Sequence, residues 1–163
     1  MNQRRLWIAV ALFVSVVGVS DASAQETIGS FSYAELSEGS ADRSSIATFG
    51  YNYEGGLVWK CEADGLNVLF ILPQDLSGGS ASQIDIEYGF GGAAPGNRQS
   101  WGYSASDMLA TMPQAAVAEF TRAARGAGAI AVKATDPASG NSGTYQLTLD
   151  QLGAALGRLE CAG

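Results

Sequence analysis

The two cysteines, Cys61 and Cys161, constrain the fold of this chain more than any other feature. They are the only cysteines in the sequence and lie 100 positions apart. A bond between them would remove about 4.7 kcal/mol of chain entropy from the unfolded state, by the loop-closure argument. The alternatives are a metal pair, which lacks further soft ligands, and a redox couple, which usually shows Cys-x-x-Cys. The sequence therefore predicts a structural disulfide.

The N-terminal segment indicates the compartment in which this disulfide forms. Arg4 and Arg5 precede an apolar run over 6–19, and an Ala-x-Ala pattern ends at Ala24. These are the three parts of a secretory signal peptide, and the run is shorter than the roughly 20 residues of a membrane span. We expect a signal peptide over 1–24, a periplasmic or secreted protein, and no stable membrane anchor after cleavage. Twin-arginine export is the alternative route.

The exported part of the chain is acidic. Residues 25–163 carry 7 basic and 15 acidic side chains, a net charge of −8. The bases are scattered, whereas nucleic-acid binding needs them clustered against phosphates, so we expect no nucleic-acid partner. The charge keeps an exported protein soluble, and it would also steer a basic protein towards this one.

Few kinds of catalysis are open to this chain, because it contains no histidine. Serine and cysteine hydrolases with a histidine base and imidazole metal sites are excluded. Asp85 and Glu87 share one face of a predicted strand, which suits a carboxylate enzyme or calcium, but such pairs usually lie on a solvated face. The segment 89–94 fits G-x-G-x-x-A, yet Pro95 follows where a phosphate-binding helix would begin. We expect no catalytic residue, no metal and no cofactor.

Most of the exported part shows the two-residue alternation of half-buried strands. Asp64-Gly65 between two apolar runs is a strong hairpin signal, and the glycine-rich stretch 89–97 predicts a turn. Residues 25–45, rich in Ser, Glu and Gly, are expected to be partly mobile. The predicted strands cover 31–36, 45–53, 57–61, 66–72, 84–88, 99–103, 129–135 and 144–149.

The apolar period changes to that of a helix at two places in the second half of the chain. The first predicted helix covers 114–125, after Pro113. The second begins at an N-cap, Asp150, carries leucines on one face and returns Cys161 to the sheet. We therefore predict an α+β fold: one β-rich domain over 25–163, an antiparallel meander or sandwich with two short helices and one disulfide.

Four aromatic residues are the candidates for a binding face: Tyr51, Tyr53, Trp101 and Tyr103. A phenol or an indole tolerates a half-wet position, because one end of the ring system is polar. Together they would form a stacking platform for sugars or a hot-spot patch for a protein partner. The alternative is that they pack inside the sheet.

Several short patterns follow one another in a fixed order along the chain: Trp59-x-Cys61, Ile84-x-Ile86-x-Tyr88, Trp101-x-x-Ser104, Tyr145-x-Leu147-x-Leu149 and Cys161. This order resembles that of a known family, the small periplasmic accessory proteins associated with type VI secretion. The resemblance covers about 57–161 and implies a β-rich fold, a strand cysteine bonded to a cysteine after the last helix, and no catalytic residues. The chain departs from the pattern at Glu87, where a basic residue is expected, and at Leu149-Asp150, where a glycine is expected. Its Trp-x-Cys start is also similar to invasion-associated locus B proteins.

These observations predict an exported, non-catalytic accessory or binding protein of the cell envelope that recognises a protein partner. One alternative is an acidic inhibitor of a basic secreted enzyme such as lysozyme, which the net charge favours. A second is a glycan-binding module, which the aromatic residues favour. An enzyme using Asp85 and Glu87 is the third.

Overall fold

The computed structural model describes residues 26–35 and 44–162, so the predicted signal peptide lies outside the described residues. Within these ranges ten strands form one antiparallel sheet, accompanied by two short helices. The strands are β1 (Glu26–Ile28), β2 (Phe31–Glu35), β3 (Ser44–Phe49), β4 (Gly56–Glu62), β5 (Gly65–Ile71), β6 (Gln83–Phe90), β7 (Gly96–Ser104), β8 (Leu109–Thr111), β9 (Ala129–Thr135) and β10 (Ser142–Thr148). The helices are α1 (Gln114–Ala124) and α2 (Leu152–Leu156).

The strand order follows the predicted meander in part. Strands β1 to β5 are neighbours in sequence and in space, whereas β8, β7 and β6 follow in reverse, before β9 and β10. The sheet also curls, so that β10 contacts β3 and the hydroxyl of Thr48 donates a hydrogen bond to the Thr148 carbonyl, at 2.9 Å. One curled sheet, rather than a two-sheet sandwich, therefore encloses the core.

The core forms where the inward faces of the strands meet helix α1. Phe120 of α1 lies among aromatic rings of three strands, with centroids 6.0 Å from Trp59, 5.0 Å from Tyr88 and 6.4 Å from Trp101. The indole N–H of Trp59 donates to Thr121 Oγ1 at 3.0 Å, so the ring is both packed and hydrogen-bonded. Burial of this aromatic cluster stabilises the contact between helix and sheet.

The predicted disulfide between Cys61 and Cys161 is confirmed. Their Cα atoms are 5.7 Å apart, and the Cys161 backbone N–H donates to Cys61 Sγ at 3.2 Å. The bond fastens the segment after α2 to the end of β4, and it is typical of proteins outside the reducing cytoplasm. Neither described helix is long and apolar enough to cross a membrane.

Several predicted boundaries differ from the structure. The strand predicted over 45–53 ends at Phe49. Asp150 is not an N-cap, because Gln151 holds that position with a left-handed φ of 62° and no side-chain hydrogen bond caps the helix. Strand β8 was not predicted. Of the segment 25–45, residues 26–28 and 31–35 form β1 and β2, and 36–43 lie outside the described residues.

Candidate functional site

The four predicted binding residues do not form one surface. The exposed fractions of Tyr51 and Tyr53 are 87% and 76%, whereas those of Trp101 and Tyr103 are 1% and 8%. Trp101 and Tyr103 face the inside of the curled sheet from β7. The prediction that these two contribute to an exposed face is therefore wrong, and the packing alternative holds for them.

The polar atoms of the two buried rings are used within the protein. Trp101 Nε1 donates to Gln99 Oε1 at 3.3 Å, and the Tyr103 hydroxyl donates to Asp75 Oδ1 at 3.0 Å. Burial and this hydrogen bond raise the pKa of Tyr103 to about 12. Hydrogen bonds from Ser77 lower the pKa of the Asp75 carboxyl, so the acceptor is charged at neutral pH. Neither ring has a hydrogen-bond donor left for a ligand.

Tyr51 and Tyr53 lie in the connection between β3 and β4, residues 50–55, which we name the tyrosine turn. The Gly50 N–H donates to the Gly55 carbonyl at 3.1 Å and closes the connection. Inside it, the Tyr53 N–H donates to the Gly50 carbonyl at 3.0 Å, which forms a single turn of 3-10 helix. The turn is thus fixed by its own backbone, while its two phenol rings point into solvent.

The backbone of the tyrosine turn is strained at its centre. Asn52 and Tyr53 have φ values of 56° and 61°, in the left-handed region. Asparagine tolerates this region, but a tyrosine there costs on the order of 1 to 2 kcal/mol. Such strain persists only where the surrounding structure enforces it, and it concentrates at functional sites.

Two glycines allow this geometry, and one of them packs against the core. Gly55 has a φ of 80°, and a Cβ there would lie 3.0 Å from the ring of Tyr145 and 3.1 Å from that of Phe70. A Cβ on Gly50 would lie 2.7 Å from the Glu54 carbonyl oxygen. The turn is therefore held tightly against the packed rings of β5 and β10, so its outward side chains are displayed from a rigid base.

The chemistry of the turn suits binding. The Tyr53 ring packs 5.8 Å from that of Phe49, so one aromatic ring supports the other. Glu54 is exposed beside them and is the only charged residue of the turn. Two phenols and one carboxylate provide apolar area, hydrogen bonds and one negative charge, but no nucleophile beside a base.

No family model, curated protein or solved structure matches this chain. The resemblance to accessory proteins of type VI secretion therefore stays a prediction.

The two remaining candidate sites are the pair Asp85 and Glu87 and the segment 89–94. The carboxylates form ion pairs, and the segment leads into a turn. Asp85 accepts a hydrogen bond from Arg98 Nε at 3.0 Å, and Glu87 lies 3.7 Å from Lys133 Nζ. Each carboxylate is thus paired with a base on the adjacent strand, as expected for a solvated face. No group of three or more potential metal ligands occurs in the described ranges. Residues 89 and 90 end β6, and 91–95 connect it directly to β7, so the helix that dinucleotide binding requires is absent there.

A small cleft of about 270 Å³ lies between α1 and strands β6 and β7. Tyr88 and Phe90 form its apolar wall, and Asn97, Gln99 and Glu119 supply polar groups. Aromatic faces beside amides and a carboxylate suit a sugar ring. The alternation of the sequence places Tyr88 on a strand, but it does not show that α1 leaves the ring at a surface cleft.

The sequence contained a signal for the tyrosine turn. Gly50 precedes Tyr51, and Gly55-Gly56 follows two residues after Tyr53. Glycines on both sides of a short segment favour a turn over a continuous strand. Because Phe49, Tyr51 and Tyr53 also alternate as in a strand, the pattern predicts a strand that continues through this segment.

Proposed function

We propose that this protein is an exported, non-catalytic binding protein of the cell envelope, and that its tyrosine turn recognises a protein partner. The supporting observation is the exposure of Tyr51 and Tyr53. Apart from Met108, at 37%, they are the only large hydrophobic side chains exposed in the described part of the chain. Tyrosine is enriched among the residues that dominate protein–protein binding energy.

The rigidity of the turn favours tight binding. Hydrogen bonds at both ends and the close contact of Gly55 with Tyr145 and Phe70 fix the backbone before a partner arrives. A phenol has few rotatable bonds, so little side-chain entropy is lost when it is buried by a partner. Binding energy is then not spent on ordering the loop.

Charge indicates the type of partner. The turn carries Glu54, and residues 25–163 have a net charge of −8. A basic surface with an apolar centre complements both features, because cations interact with phenol faces and with the carboxylate. An inhibitor of a basic secreted enzyme is one form of this function, and an accessory role in type VI secretion is another.

A glycan-binding module is the second candidate, and the cleft beside Tyr88 and Phe90 favours it. The two candidates use different residues, since the cleft includes nothing from the tyrosine turn. Variants of each site therefore separate them.

The test is affinity capture from an envelope extract with the oxidised protein, read by quantitative mass spectrometry. The test variant is Tyr51→Ser/Tyr53→Ser. The control variant is Met108→Ser, which removes an exposed apolar side chain elsewhere. Urea unfolding establishes that all three proteins are folded.

We expect at least one protein to be enriched by the wild type and by Met108→Ser, and to be lost with the tyrosine variant. Equal enrichment by all three proteins would contradict the proposal. Retention of envelope polysaccharide, abolished by Tyr88→Ala/Phe90→Ala and unaffected by the tyrosine variant, would instead support the glycan candidate. Unchanged lysozyme rates at low salt with excess protein would remove the lysozyme form of the inhibitor hypothesis.

A further inference from the structure

A second concave surface lies on the side of α1 opposite the cleft. This groove, of about 400 Å³, is bounded by α1, the start of β5 and the segment that the disulfide fastens. Its walls are apolar except for three side chains of α1, Gln114, Thr121 and Arg122, and that of Arg125, the residue after the helix. The lining residues used below are Leu66, Val117, Ala118, Arg122, Arg125 and Cys161.

The arginines of this groove differ from the other bases. Of the six basic residues in the described ranges, four pair with carboxylates: Lys60 with Glu62, Arg98 with Asp85, Lys133 with Glu87 and Arg158 with Glu26. Arg122 and Arg125, by contrast, lie within 4 Å of no carboxylate in those ranges. Among the described residues, the hydrogen bond of the Arg125 guanidinium goes to a neutral group, the Ala162 carbonyl, at 3.3 Å. Both guanidiniums thus keep donors for a ligand.

The two carboxylates of the hairpin between β4 and β5, which precedes the groove residue Leu66, are engaged elsewhere. Glu62 and Asp64 accept hydrogen bonds from the Asn67 amide, at 2.9 and 3.0 Å. Glu119, one helical turn before Arg122, lines the cleft and not the groove, and it is not within 4 Å of the Arg122 guanidinium. Arg122 and Arg125 are three residues apart, so they project from the same face of the helix beside the apolar wall.

The groove is held in shape from three sides. The disulfide fixes Cys161, the Gln114 amide donates to the Leu66 carbonyl at 3.2 Å, and Trp59 anchors Thr121. A groove that is already formed loses little entropy when a ligand binds.

We propose that this groove binds an acidic peptide segment in which a carboxylate stands beside an aliphatic side chain. Guanidinium groups bind carboxylates with two parallel hydrogen bonds, and the wall of Leu66, Val117 and Ala118 accepts the aliphatic group. The rest of the acidic protein repels such a peptide, so the attraction for its carboxylates must come from the two arginines. This site goes beyond the tyrosine turn, which lies at the other end of β4, on the order of 20 Å away.

The probe is an acetylated, amidated hexapeptide that alternates leucine and glutamate, labelled for fluorescence anisotropy and titrated with the oxidised protein. The matched peptide has glutamine in place of every glutamate. The test variant is Arg122→Gln/Arg125→Gln. The control is Arg98→Gln/Lys133→Gln, which removes the same charge from paired positions. Arg122→Gln alone leaves the contact between Arg125 and Ala162 in place. It therefore separates a loss of peptide binding from an effect of that contact on folding.

We expect saturable binding of the glutamate peptide that weakens with salt and falls at least about tenfold in the test variant. The control should change affinity by less than about twofold, and Arg122→Gln should lie between them. Absence of saturable binding, equal affinity for the glutamine peptide, or equal loss in the control would overturn the proposal. Tyr51→Ser/Tyr53→Ser should bind the peptide as the wild type does, so failure of one site is distinguishable from failure of the other.

Discussion

Two short segments with the same pattern have opposite positions in this protein. Tyr51-Asn52-Tyr53 and Trp101-Gly102-Tyr103 each place two aromatic residues two apart. The first pair is more than three-quarters exposed, and the second is at most 8% exposed. Two residues spaced by two therefore lie on the same side only where the chain is a strand. Even in a strand, the spacing does not show whether that side faces the core or the solvent.

The difference has a local cause in each segment. On β7, Gly102 pairs with Thr111 of β8 and Gln83 of β6, so both ladders continue and the flanking rings face the core. After β3, by contrast, the left-handed Asn52 and Tyr53 end the extended backbone. Pairing with strands on both sides buries the aromatic rings of 101–103, whereas the closed turn leaves those of 51–53 in solvent.

The largest expected effect separates the two segments by stability. Trp101→Ala should lower the free energy of unfolding by about 3 to 5 kcal/mol, because it leaves a cavity beside Phe120. Tyr51→Ser should change it by less than about 0.5 kcal/mol, because the ring is in solvent. Urea unfolding measures both. Similar losses in the two variants would mean that the assignment of core and surface is wrong.

An intermediate effect is expected where the exposed turn meets the core. Gly55→Ala should destabilise the protein by about 1 to 3 kcal/mol, because it combines a left-handed backbone with overpacking against Tyr145 and Phe70. Gly102→Ala is the matched control, since nothing lies within 4 Å of a Cβ there. The difference in urea midpoint gives the result, and an unchanged midpoint for Gly55→Ala would show that the turn is not held against the core.

The smallest expected effect concerns pH and the buried phenol. The pKa of Tyr103 is raised to about 12, mainly by burial, so its neutral form is favoured in the folded state. This contribution is fully present below the ordinary tyrosine pKa of about 10 and is lost as pH rises from there through about 12. Tyr103→Phe should therefore lose less stability than the wild type between about pH 10 and 12. Parallel losses by urea unfolding would show that Tyr103 does not contribute.

The sequence was sufficient where local signals agree with tertiary structure. Helix α1 follows Pro113 and ends before Gly126, as its apolar period predicted. Asp64-Gly65 marked the hairpin of β4 and β5, and the only two cysteines form the disulfide. A few neighbouring residues determine the helix and the hairpin. The disulfide follows because each cysteine has only one other cysteine to bond with.

Other features depended on distant contacts that the sequence does not display. Asp150 resembles an N-cap, but its backbone carbonyl accepts hydrogen bonds from both the N–H and the hydroxyl of Ser30. Strand β8 has only three residues and forms because β5 and β7 pair with it on either side. The cleft and the groove beside α1 are likewise formed by residues that are far apart in sequence.

Photo-crosslinking in living cells tests the central claim most directly. A photoreactive phenylalanine analogue replaces Tyr53 in one strain and Met108 in another, so that both probes are exposed but only one lies in the tyrosine turn. We expect a discrete crosslinked species from position 53 and none from position 108. Unlabelled wild-type protein should compete with formation of this species, whereas Tyr51→Ser/Tyr53→Ser should not. No crosslink at position 53, or the same species from both positions, would contradict the account.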